Sequence, residues 1–360
     1  MIRTVCAKIK NRTFGYFFET MKNKYKELAQ NLLNRINDNT YPNLKLPTER
    51  ELCLQFSVSR STVREALNIL EDERVITKKH GSGIYILPEY YASKNTIALI
   101  VNNKEAYIFP LLTGLLKDRL NSFGFSLNTF ETQNDPANER EILESILKSN
   151  FQAIICEPSR ANLPTVNYDL YTKLLTKNIP TLFINDKYTN LPDFPLVTID
   201  GYHTAYNMVK SFESSNLCGI FLSERASSVQ KYLGYARAVL ETGNKFNSEN
   251  VLMLTDAEMS EIRNNKSCSR LNRFMEQHIH YDGLICDNDE IAYSITTCHN
   301  PDSNMTLYSF DNSYLCKLIK HSIVSYGVDM SKLIDSISLS IMNLIKKEPA
   351  GNIVLLPKAP

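Results

Sequence analysis

The sequence predicts an α/β protein in two parts: a small domain of three helices and a β-hairpin, then a larger body built on parallel sheets. Near the N-terminus, three segments with helical spacing of apolar residues precede two short β-rich runs around a glycine-bearing turn. From Thr96 onward, short apolar runs alternate with helical segments of about 10 to 15 residues, the pattern of βαβ units. The 360 residues are enough for two or three compact units with their own cores.

The first two helices are predicted from apolar spacing and from a capping pattern. Apolar residues recur at three- and four-residue spacing in the first helix: Tyr25, Leu28, Ala29, Leu32, Leu33 and Ile36. A second, short helix is predicted to begin at Thr48, because Thr48 and Glu51 form the Thr-x-x-Glu pattern of a capping box and Pro47 stands just before the cap.

The third predicted helix carries two basic side chains on one face. Ser59 can cap this helix, and Arg60 and Arg64, one helical turn apart, project outward together with Ser61. Two guanidinium groups and a hydroxyl at a helix N-terminus suit the major groove of DNA, because arginine bonds guanine O6 and N7 bidentately or clamps a phosphate. The alternative interpretation is a solvated charged face, which is what most charged helix positions are.

Two β-rich runs follow the third helix and complete an ordered set of elements. Residues 75–79 and 83–86 flank a His-Gly-Ser turn, which predicts a hairpin with a glycine-bearing tip. Lys78, Lys79 and His80 cluster at this tip. The order helix, helix, tight turn, helix, hairpin is that of a winged helix-turn-helix.

Three ordered motifs in this domain resemble those of the GntR family of repressors. They are Leu46-Pro47-Thr48-Glu49-Arg50-Glu51-Leu52, Val58-Ser59-Arg60-Ser61-Thr62-Val63-Arg64-Glu65-Ala66-Leu67 and Gly81-Ser82-Gly83-Ile84-Tyr85-Ile86. The resemblance implies a domain that binds double-stranded operator DNA through the third helix and the tip of the hairpin. The predicted DNA contacts are Lys24, Glu49, Arg60, Ser61, Thr62, Arg64, Lys79, His80 and Gly81.

The chain is predicted to divide into four segments. Residues 1–20 are expected to be an unstructured extension ahead of the amphipathic pattern that opens at Met21, and their apolar residues are too few for the core of a signal peptide. Residues 21–87 form the winged helix-turn-helix domain, and residues 88–95 form a linker that contains proline and lacks apolar periodicity. Residues 96–360 form the body. Its predicted strands are 97–101, 125–130, 153–156, 181–184, 196–199, 219–222, 250–254, 283–286 and 306–310, with helices over 111–123, 136–148, 168–177, 203–213 and 227–242.

Polar or aromatic residues recur directly after the predicted strands of the body. They stand at residues 107–110, 133–135, 157–159, 185–186, 287–290 and 311–312. Each alone is an ordinary cap or turn residue, but ligands of parallel sheets bind at the carboxyl ends of the strands. Aromatic rings with carboxylates and amides on separate loops can stack a sugar ring and bond its hydroxyls. This recurrence therefore predicts a site for a small polar ligand.

Four motifs of the body resemble the sugar-sensing domain of LacI-type regulators, which is related to periplasmic binding proteins. They are Tyr107-Ile108-Phe109-Pro110, Asn134-Asp135-Pro136-Ala137-Asn138-Glu139-Arg140, Ile155-Cys156-Glu157-Pro158-Ser159 and Asn288-Asp289-Glu290-Ile291-Ala292. The resemblance implies two Rossmann-like lobes around a cleft, a homodimer, and a small, arabinose-like sugar as effector. The predicted ligand contacts are Tyr107, Phe109, Arg140, Glu157, Lys231, Asn288 and Asp311.

Two features of the body depart from that family pattern. Lys231 stands where the family's Arg-x-x-Gly motif has arginine, so a point charge replaces a bidentate fork. The helix that the family has between Ile291 and Thr306 is shortened, and the chain stops without the closing arginine-bearing segment, so a smaller second lobe is expected. The identity of the sugar therefore stays open, and so does a regulator that senses a non-sugar molecule.

No enzyme, cofactor or metal site is predicted. The sequence has no phosphate-loop pattern and no Ser/Cys–His–Asp spacing, and its six histidines are isolated except for His278 and His280. Some GntR-headed proteins carry an aminotransferase body, but the body of this chain is short for that fold. The remaining alternative is a ligand-binding module without a DNA function.

Composition limits the partners and the compartment. Forty Lys+Arg and 39 Asp+Glu give a formal charge of +1, so any DNA-binding surface must be local. The eight cysteines are scattered without a Cys-x-x-Cys motif, as in a reducing cytoplasm. The longest apolar runs are far shorter than the roughly 18 residues of a membrane helix. A cytoplasmic protein without a membrane span is therefore predicted.

Overall fold

The computed structural model describes residues 24–36, 40–41, 44–79, 81–87, 90, 95–212, 216–242, 246–299, 301–302 and 304–359. The chain divides into two compact units between residues 94 and 95. The predicted extension over residues 1–20, His80 and most of the predicted linker over 88–95 lie outside the described residues.

The N-terminal unit is built from three helices and a three-stranded antiparallel sheet. Its elements are α1 (24–36), β1 (Lys45–Leu46), α2 (Glu49–Phe56), α3 (Arg60–Asp72), β2 (Ile76–Lys79) and β3 (Gly83–Ile86). The strands lie in the order β1-β3-β2. This is the winged helix-turn-helix that the sequence predicts.

Local hydrogen bonds fix the starts of α2 and α3. The backbone N of Glu51 donates to Thr48 Oγ1 at 3.3 Å, and the backbone N of Thr48 donates to the Glu51 carboxylate at 2.7 Å. The backbone N of Thr62 donates to Ser59 Oγ at 3.2 Å. The three helices pack around one hydrophobic core. Its innermost side chains are inaccessible to solvent: Leu32, Ile36, Leu52, Val63, Ala66, Leu67 and Leu70.

The first lobe of the body is a six-stranded parallel sheet between two layers of helices. Its strands, in the order β14-β8-β7-β6-β4-β5, are β4 (Thr96–Val101), β5 (Ser126–Glu131), β6 (Ala153–Cys156), β7 (Thr181–Ile184), β8 (Leu196–Ile199) and β14 (Ile353–Leu355). Its helices are α4 (Phe109–Ser122), α5 (Pro136–Lys148), α6 (Tyr168–Thr176) and α12 (Met330–Ile345). Helices α4 and α12 pack on one face of the sheet, and α5 and α6 pack on the other.

The second lobe repeats this plan with five parallel strands. In the order β10-β9-β11-β12-β13 they are β9 (Leu217–Leu222), β10 (Val251–Leu254), β11 (Gly283–Cys286), β12 (Thr306–Phe310) and β13 (Ile323–Tyr326). Its helices are α7 (Gly201–Lys210), α8 (Ala226–Glu241), α9 (Asp256–Asn265), α10 (Ser269–His278) and α11 (Asp289–Cys298), with 3₁₀ turns at Ser248–Asn250 and Tyr314–Lys317. Helices α7 and α8 cover one face, and α9, α10 and α11 cover the other.

The chain connects the lobes after β8 and again after β13. Beyond β14, Lys358 pairs with Gly327 in an antiparallel bridge, so the segment after β14 lies against the connection that follows β13. The carboxyl ends of the two parallel sheets face the same cleft, because the loops after β4, β6, β9, β11 and β12 line one cavity. The predicted two-lobed architecture is therefore confirmed.

Several elements differ from the sequence-based prediction. Helix α5 and strands β6, β7, β8, β11 and β12 have the predicted bounds, and the other predicted elements of the body shift by one to three residues. The sequence did not predict β1, α9, α10, α12, β13 or β14, and α11 (Asp289–Cys298) lies where a shortened helix was expected between Ile291 and Thr306. Within the described residues, no helix is both long and apolar enough to span a bilayer.

Candidate functional site

The exposed face of α3 brings the predicted basic side chains together. Arg60, Ser61 and Arg64 are exposed on its first two turns, while Thr62 is half-buried beside the cap. Arg64 Nε donates to a Glu49 carboxylate oxygen at 3.0 Å and so joins α3 to α2. The pair leaves the Arg64 side chain 63% exposed. Glu49 therefore orients the guanidinium while leaving it accessible from outside the domain.

The other predicted DNA contacts lie around this face. Lys24 is exposed at the start of α1, and Lys79 is exposed at the end of β2. Gly81 at the hairpin tip has a φ of 71°, which glycine adopts without strain. The prediction omitted Arg50, an exposed guanidinium in the first turn of α2, although it stands inside the first motif next to Glu49.

A cavity lies between the two lobes of the body and collects six of the seven predicted ligand residues. Its volume is about 140 Å³. The first lobe contributes Tyr107, Phe109 and Glu157, and the second contributes Lys231, Asn288 and Asp311. The Tyr107 hydroxyl donates to the Asp311 carboxylate, and this hydrogen bond joins the two lobes at the cavity.

The structure does not bring the seventh residue, Arg140, to this cavity. Arg140 lies on the outer face of α5, where its guanidinium bonds both carboxylate oxygens of Asp169 at 3.0 and 3.2 Å and meets Glu144 at 3.2 Å. This contact lowers the pKa of the Asp169 carboxyl to about 2. Within the Asn-Asp-Pro motif it is Asn134, at the other end, that faces the cleft, through a hydrogen bond to Asp256.

The Lys231 ammonium group is bound to Asp287 within the body. Its Nζ donates to the backbone O of Asp287 at 2.7 Å, lies 3.4 Å from Asp287 Oδ2, and stands 4.4 Å from the centroid of the Phe310 ring. Asp287 is 3% exposed, and its second oxygen, Oδ1, has no hydrogen-bond partner among the described residues. A buried carboxylate oxygen without a donor is a strong acceptor for a ligand hydroxyl.

The other two cations that line the cavity are also paired with carboxylates. Arg225 Nη2 lies 3.1 Å from Asp256 Oδ1, and Arg263 holds Glu290 through three contacts of 2.9 to 3.1 Å. Among the lining residues, carboxylates outnumber cations: Glu157, Asp287, Glu290 and Asp311 against Arg225, Lys231 and Arg263. Each lining cation thus contacts a carboxylate, but Arg225 Nε has no hydrogen-bond partner among the described residues, so the cavity offers a ligand this donor as well as carboxylate acceptors.

Sequence reasoning missed several lining residues for different reasons. Asn185 and Asp287 belong to the strand-end segments that the sequence singles out, but neither was selected. Arg225 also follows a strand, β9, in a segment with no recognisable motif. Arg263 comes from the last turn of α9, a helix that the sequence did not predict, so no sequence signal could have placed it here.

A fully buried carboxylate in each lobe fixes a loop that reaches the cavity. In the first lobe, Glu139 accepts a hydrogen bond from the Tyr188 hydroxyl at 2.8 Å. It also accepts one at 2.8 Å from the backbone N of Ser159, which lies two residues beyond Glu157. In the second lobe, Asp289 accepts from the backbone N of Ser313 at 2.7 Å, two residues beyond Asp311. Asp289 also accepts from Ser325 Oγ at 2.6 Å.

Burial dominates the protonation of the cavity walls. It raises the pKa of Asp311 to about 6, although Lys231 acts in the opposite direction. Burial and the neighbouring Asp311 raise the pKa of the Tyr107 hydroxyl well above its usual value, so this phenol stays protonated. Asp186 does not line the cavity but follows the lining residue Asn185, and burial, followed by the charge of Glu157, raises the pKa of its carboxyl to about 6. Within the described residues, no cluster of three or more His, Cys, Asp or Glu could hold a metal ion.

Both the N-terminal unit and the body of this chain are similar to parts of known proteins. Residues 24–86 match the family described as "Bacterial regulatory proteins, gntR family". The arabinose metabolism transcriptional repressor of Halalkalibacterium halodurans is 27% identical over 88% of this chain and 89% of its own. The repressor of the same name from Geobacillus stearothermophilus is 28% identical over 75% of both chains.

The body also resembles a solved structure. A periplasmic binding protein/LacI transcriptional regulator from Alkaliphilus metalliredigens, complexed with D-xylulofuranose, superimposes with a TM-score of 0.62. The match covers 74% of this chain and 97% of that one, at 16% identity. At this identity the likeness describes the fold of the body.

Proposed function

We propose that this chain, whose residues 24–86 are a gntR-family regulatory domain and whose body has the LacI-type fold, represses transcription and releases its operator when a small sugar binds. The observation that carries the proposal is the presence in one chain of an exposed arginine face on a capped helix and a cavity between two lobes that is lined by carboxylates. The likeness to arabinose metabolism repressors over most of the chain supports it.

The cavity favours a neutral monosaccharide. A buried water molecule needs roughly 10 to 15 Å³ of cavity volume. The cavity of about 140 Å³ therefore has room for about ten water-sized groups, which is about the size of one monosaccharide. Its excess carboxylates can accept hydrogen bonds from sugar hydroxyls, and Phe109 lines it with apolar surface. Each lining cation already contacts a carboxylate, which disfavours sugar phosphates and sugar acids, while the unpartnered Arg225 Nε can donate to a neutral sugar oxygen. With the names of the relatives, these features favour a pentose of the arabinose type.

The DNA half of the proposal is tested by selection from a duplex library of random sequence with the full chain. The enriched duplex is expected to bind on the order of 10³-fold more tightly than its scrambled counterpart at physiological salt. Arg60→Ala should reduce this affinity about tenfold or more, because a bidentate base contact is lost. Arg237→Ala is the matched control, since it removes an exposed arginine of the body. Equal affinity for enriched and scrambled duplexes would refute the repressor.

The effector half is tested by calorimetry with L-arabinose, D-xylose, D-glucose and D-ribose 5-phosphate. A neutral pentose is expected to bind best and D-ribose 5-phosphate worst. The same pentose should weaken binding to the enriched duplex, and by thermodynamic reciprocity the duplex should weaken pentose binding by the same factor. Preferential binding of the phosphate ester would contradict the charge argument. A pentose that binds without changing DNA affinity would contradict the coupling.

The proposed mechanism is a change in the spacing of two DNA-binding domains within a homodimer. Half-sites read by helix-turn-helix dimers lie about one helical turn, or a multiple, apart. We propose that a sugar bound between the lobes changes their relative position and so moves the dimer away from that spacing. Sedimentation of the full chain with and without the enriched duplex tests the dimer directly.

A further inference from the structure

The solvent face of the hairpin sheet carries a compact cluster of two lysines and a tyrosine. Lys45 on β1 pairs in register with Tyr85 on β3, and Lys79 on β2 pairs with Gly83 two residues away. Because side chains alternate along a strand, Lys45, Tyr85 and Lys79 share one face. The opposite face is the buried one and carries the sheet's core residues: Leu46, Ile76, Ile84 and Ile86.

Tyr85 holds both ammonium groups against its ring. Lys45 Nζ and Lys79 Nζ each lie 5.4 Å from the centroid of the Tyr85 ring, within the range of a cation–π interaction. The Tyr85 hydroxyl is fixed in turn, by Ser82 Oγ at 2.8 Å and by the backbone O of Ser82 at 3.1 Å. The ring is therefore anchored to the hairpin turn, and both cations are gathered beside that turn.

The second glycine of the turn makes room for this arrangement. Gly83 has a φ of 130°, which side-chain-bearing residues rarely adopt, and a Cβ there would stand 3.0 Å from Lys45 Cε. Glycine therefore lets the Lys45 side chain cross β3 toward Tyr85. The Gly-Ser-Gly sequence of the turn thus has a local structural reason in addition to the hairpin tip itself.

Neither lysine of the cluster is paired with a carboxylate among the described residues. Glu51, the acid that Lys45 influences, already accepts hydrogen bonds from the Thr48 backbone N and hydroxyl. Lys78, the neighbour of Lys79, behaves differently: its Nζ contacts Glu71 at 3.0 Å and Asn68 at 2.6 Å. The cluster therefore presents two positive charges beside one aromatic ring, and no carboxylate among the described residues forms an ion pair with either.

We propose that Lys45, Tyr85 and Lys79 form a clamp for a phosphate of the DNA backbone beside the hairpin. A phosphate offers several acceptor oxygens to two ammonium groups and relieves their repulsion, and the aromatic ring limits the conformations that the lysines lose on binding. The clamp rests on the proposed function, because it presumes that this domain binds duplex DNA. It adds a contact that carries no sequence information and contributes affinity through counterion release.

The test is the salt dependence of affinity for the enriched duplex, measured with the full chain. Lys45→Ala and Lys79→Ala are each expected to reduce the slope of log K against log salt by about 0.9 per bound DNA-binding domain. At about 0.1 M salt each variant should bind roughly eightfold more weakly per domain, and the deficit should vanish toward 1 M. Tyr85→Leu should reduce the slope in part, while Tyr85→Phe, which keeps the ring, should retain it.

Lys78→Ala is the matched control, because it removes a lysine from the same strand that Glu71 already neutralises. Its slope is expected to equal that of the wild type. Slopes for Lys45→Ala and Lys79→Ala that equal the control would overturn the clamp while the wild type still binds DNA. An affinity loss that is the same at every salt concentration would overturn it too. A wild type that selects no duplex would instead refute the proposed function.

Discussion

Lys231 holds a buried carboxylate that would otherwise be unpaired. The Lys231 side chain is 14% exposed and that of Asp287 is 4% exposed, so water screens this pair little. Removal of one partner leaves a buried charge uncompensated. We expect Lys231→Met to lower the free energy of unfolding by about 3 kcal/mol, measured by urea unfolding at pH 7, and Asp287→Asn to restore part of it in the double variant.

An exposed lysine pair provides the control for this prediction. Lys173 contacts Asp169 at 3.3 Å, but both side chains are about half exposed, at 59% and 46%. Lys173→Met should therefore change the free energy of unfolding by less than about 0.5 kcal/mol. Equal losses for Lys231→Met and Lys173→Met would show that burial of the Lys231 pair has no energetic consequence.

Glu139 is the second residue whose effect should exceed its size. It is fully buried and accepts from Ser159, Tyr171 and Tyr188, and burial raises the pKa of its carboxyl. In Glu139→Gln an amide NH₂ would face donors, so at least one buried donor loses its acceptor. A loss of about 2 kcal/mol is expected in urea unfolding.

The same helix supplies a comparison for Glu139. Glu144 also lies on α5, but it is 43% exposed and forms a salt bridge of 3.2 Å with the exposed Arg140. Glu144→Gln should stay within about 0.5 kcal/mol of the wild type. If Glu139→Gln were as stable as Glu144→Gln, the loop that carries Glu157 would not depend on this anchor.

At the scale of elements, α7 and α8 approach so closely that only glycine fits between them. A Cβ at Gly234 would stand 2.1 Å from the backbone O of Tyr202, an atom that cannot move aside. Alanine normally favours a helix by about 1 kcal/mol over glycine, but the clash reverses the sign. We expect Gly234→Ala to destabilise the protein by about 2 kcal/mol net, measured by urea unfolding.

Gly114 on α4 allows the effect of helix propensity to be measured without a steric clash. It is exposed in mid-helix, and nothing lies within 4 Å of a Cβ built there. Gly114→Ala should stabilise the protein by up to about 1 kcal/mol. A stabilising Gly234→Ala would contradict the close packing of α7 on α8. Destabilisation by both substitutions would show that clash and propensity are not separated by this pair.

The elements that the sequence predicted well are those with local signals. Thr48 and Ser59 are recognisable in the sequence as the N-caps of α2 and α3, and Pro136 occupies the first position of α5, which proline favours. Strands β13 and β14 are short, and their pairing partners are distant in sequence, so local patterns could not place them. Helix α12 lies in the first lobe although it follows the second in sequence, a return that only tertiary packing determines.

The same division applies to the candidate site. Tyr107, Glu157 and Asp311 follow predicted strands, and strand ends of parallel sheets meet at one edge. Arg140 follows no strand, and its direction depends on which face of α5 packs on the sheet. That face carries Leu143 and Ile146, so Arg140 points away, toward Asp169 on α6. Motif position alone could not reveal this orientation.

At the scale of the whole molecule, the buried Asp311 links stability to pH. Its pKa rises from 3.8 to about 6 on folding, so the native state binds more protons than the unfolded state between these values. The contribution of Asp311 to stability is therefore present below pH 4 and is lost as pH rises toward 6. Asp311→Asn, which resembles the protonated form, should be as stable as the wild type near pH 4 and more stable at pH 7, measured by urea unfolding across that range.

The wild type would then retain a destabilising charge for binding, in the way that functional sites often cost stability. If sugar hydroxyls donate to the Asp311 carboxylate, its protonation below about pH 6 removes an acceptor. Calorimetry with L-arabinose should show affinity falling as pH drops from 7 to 5, with protons released on binding near pH 6. Asp311→Asn should bind more weakly at pH 7 and show no such dependence. A variant that is more stable and binds equally well would separate the cavity charge from recognition of the sugar.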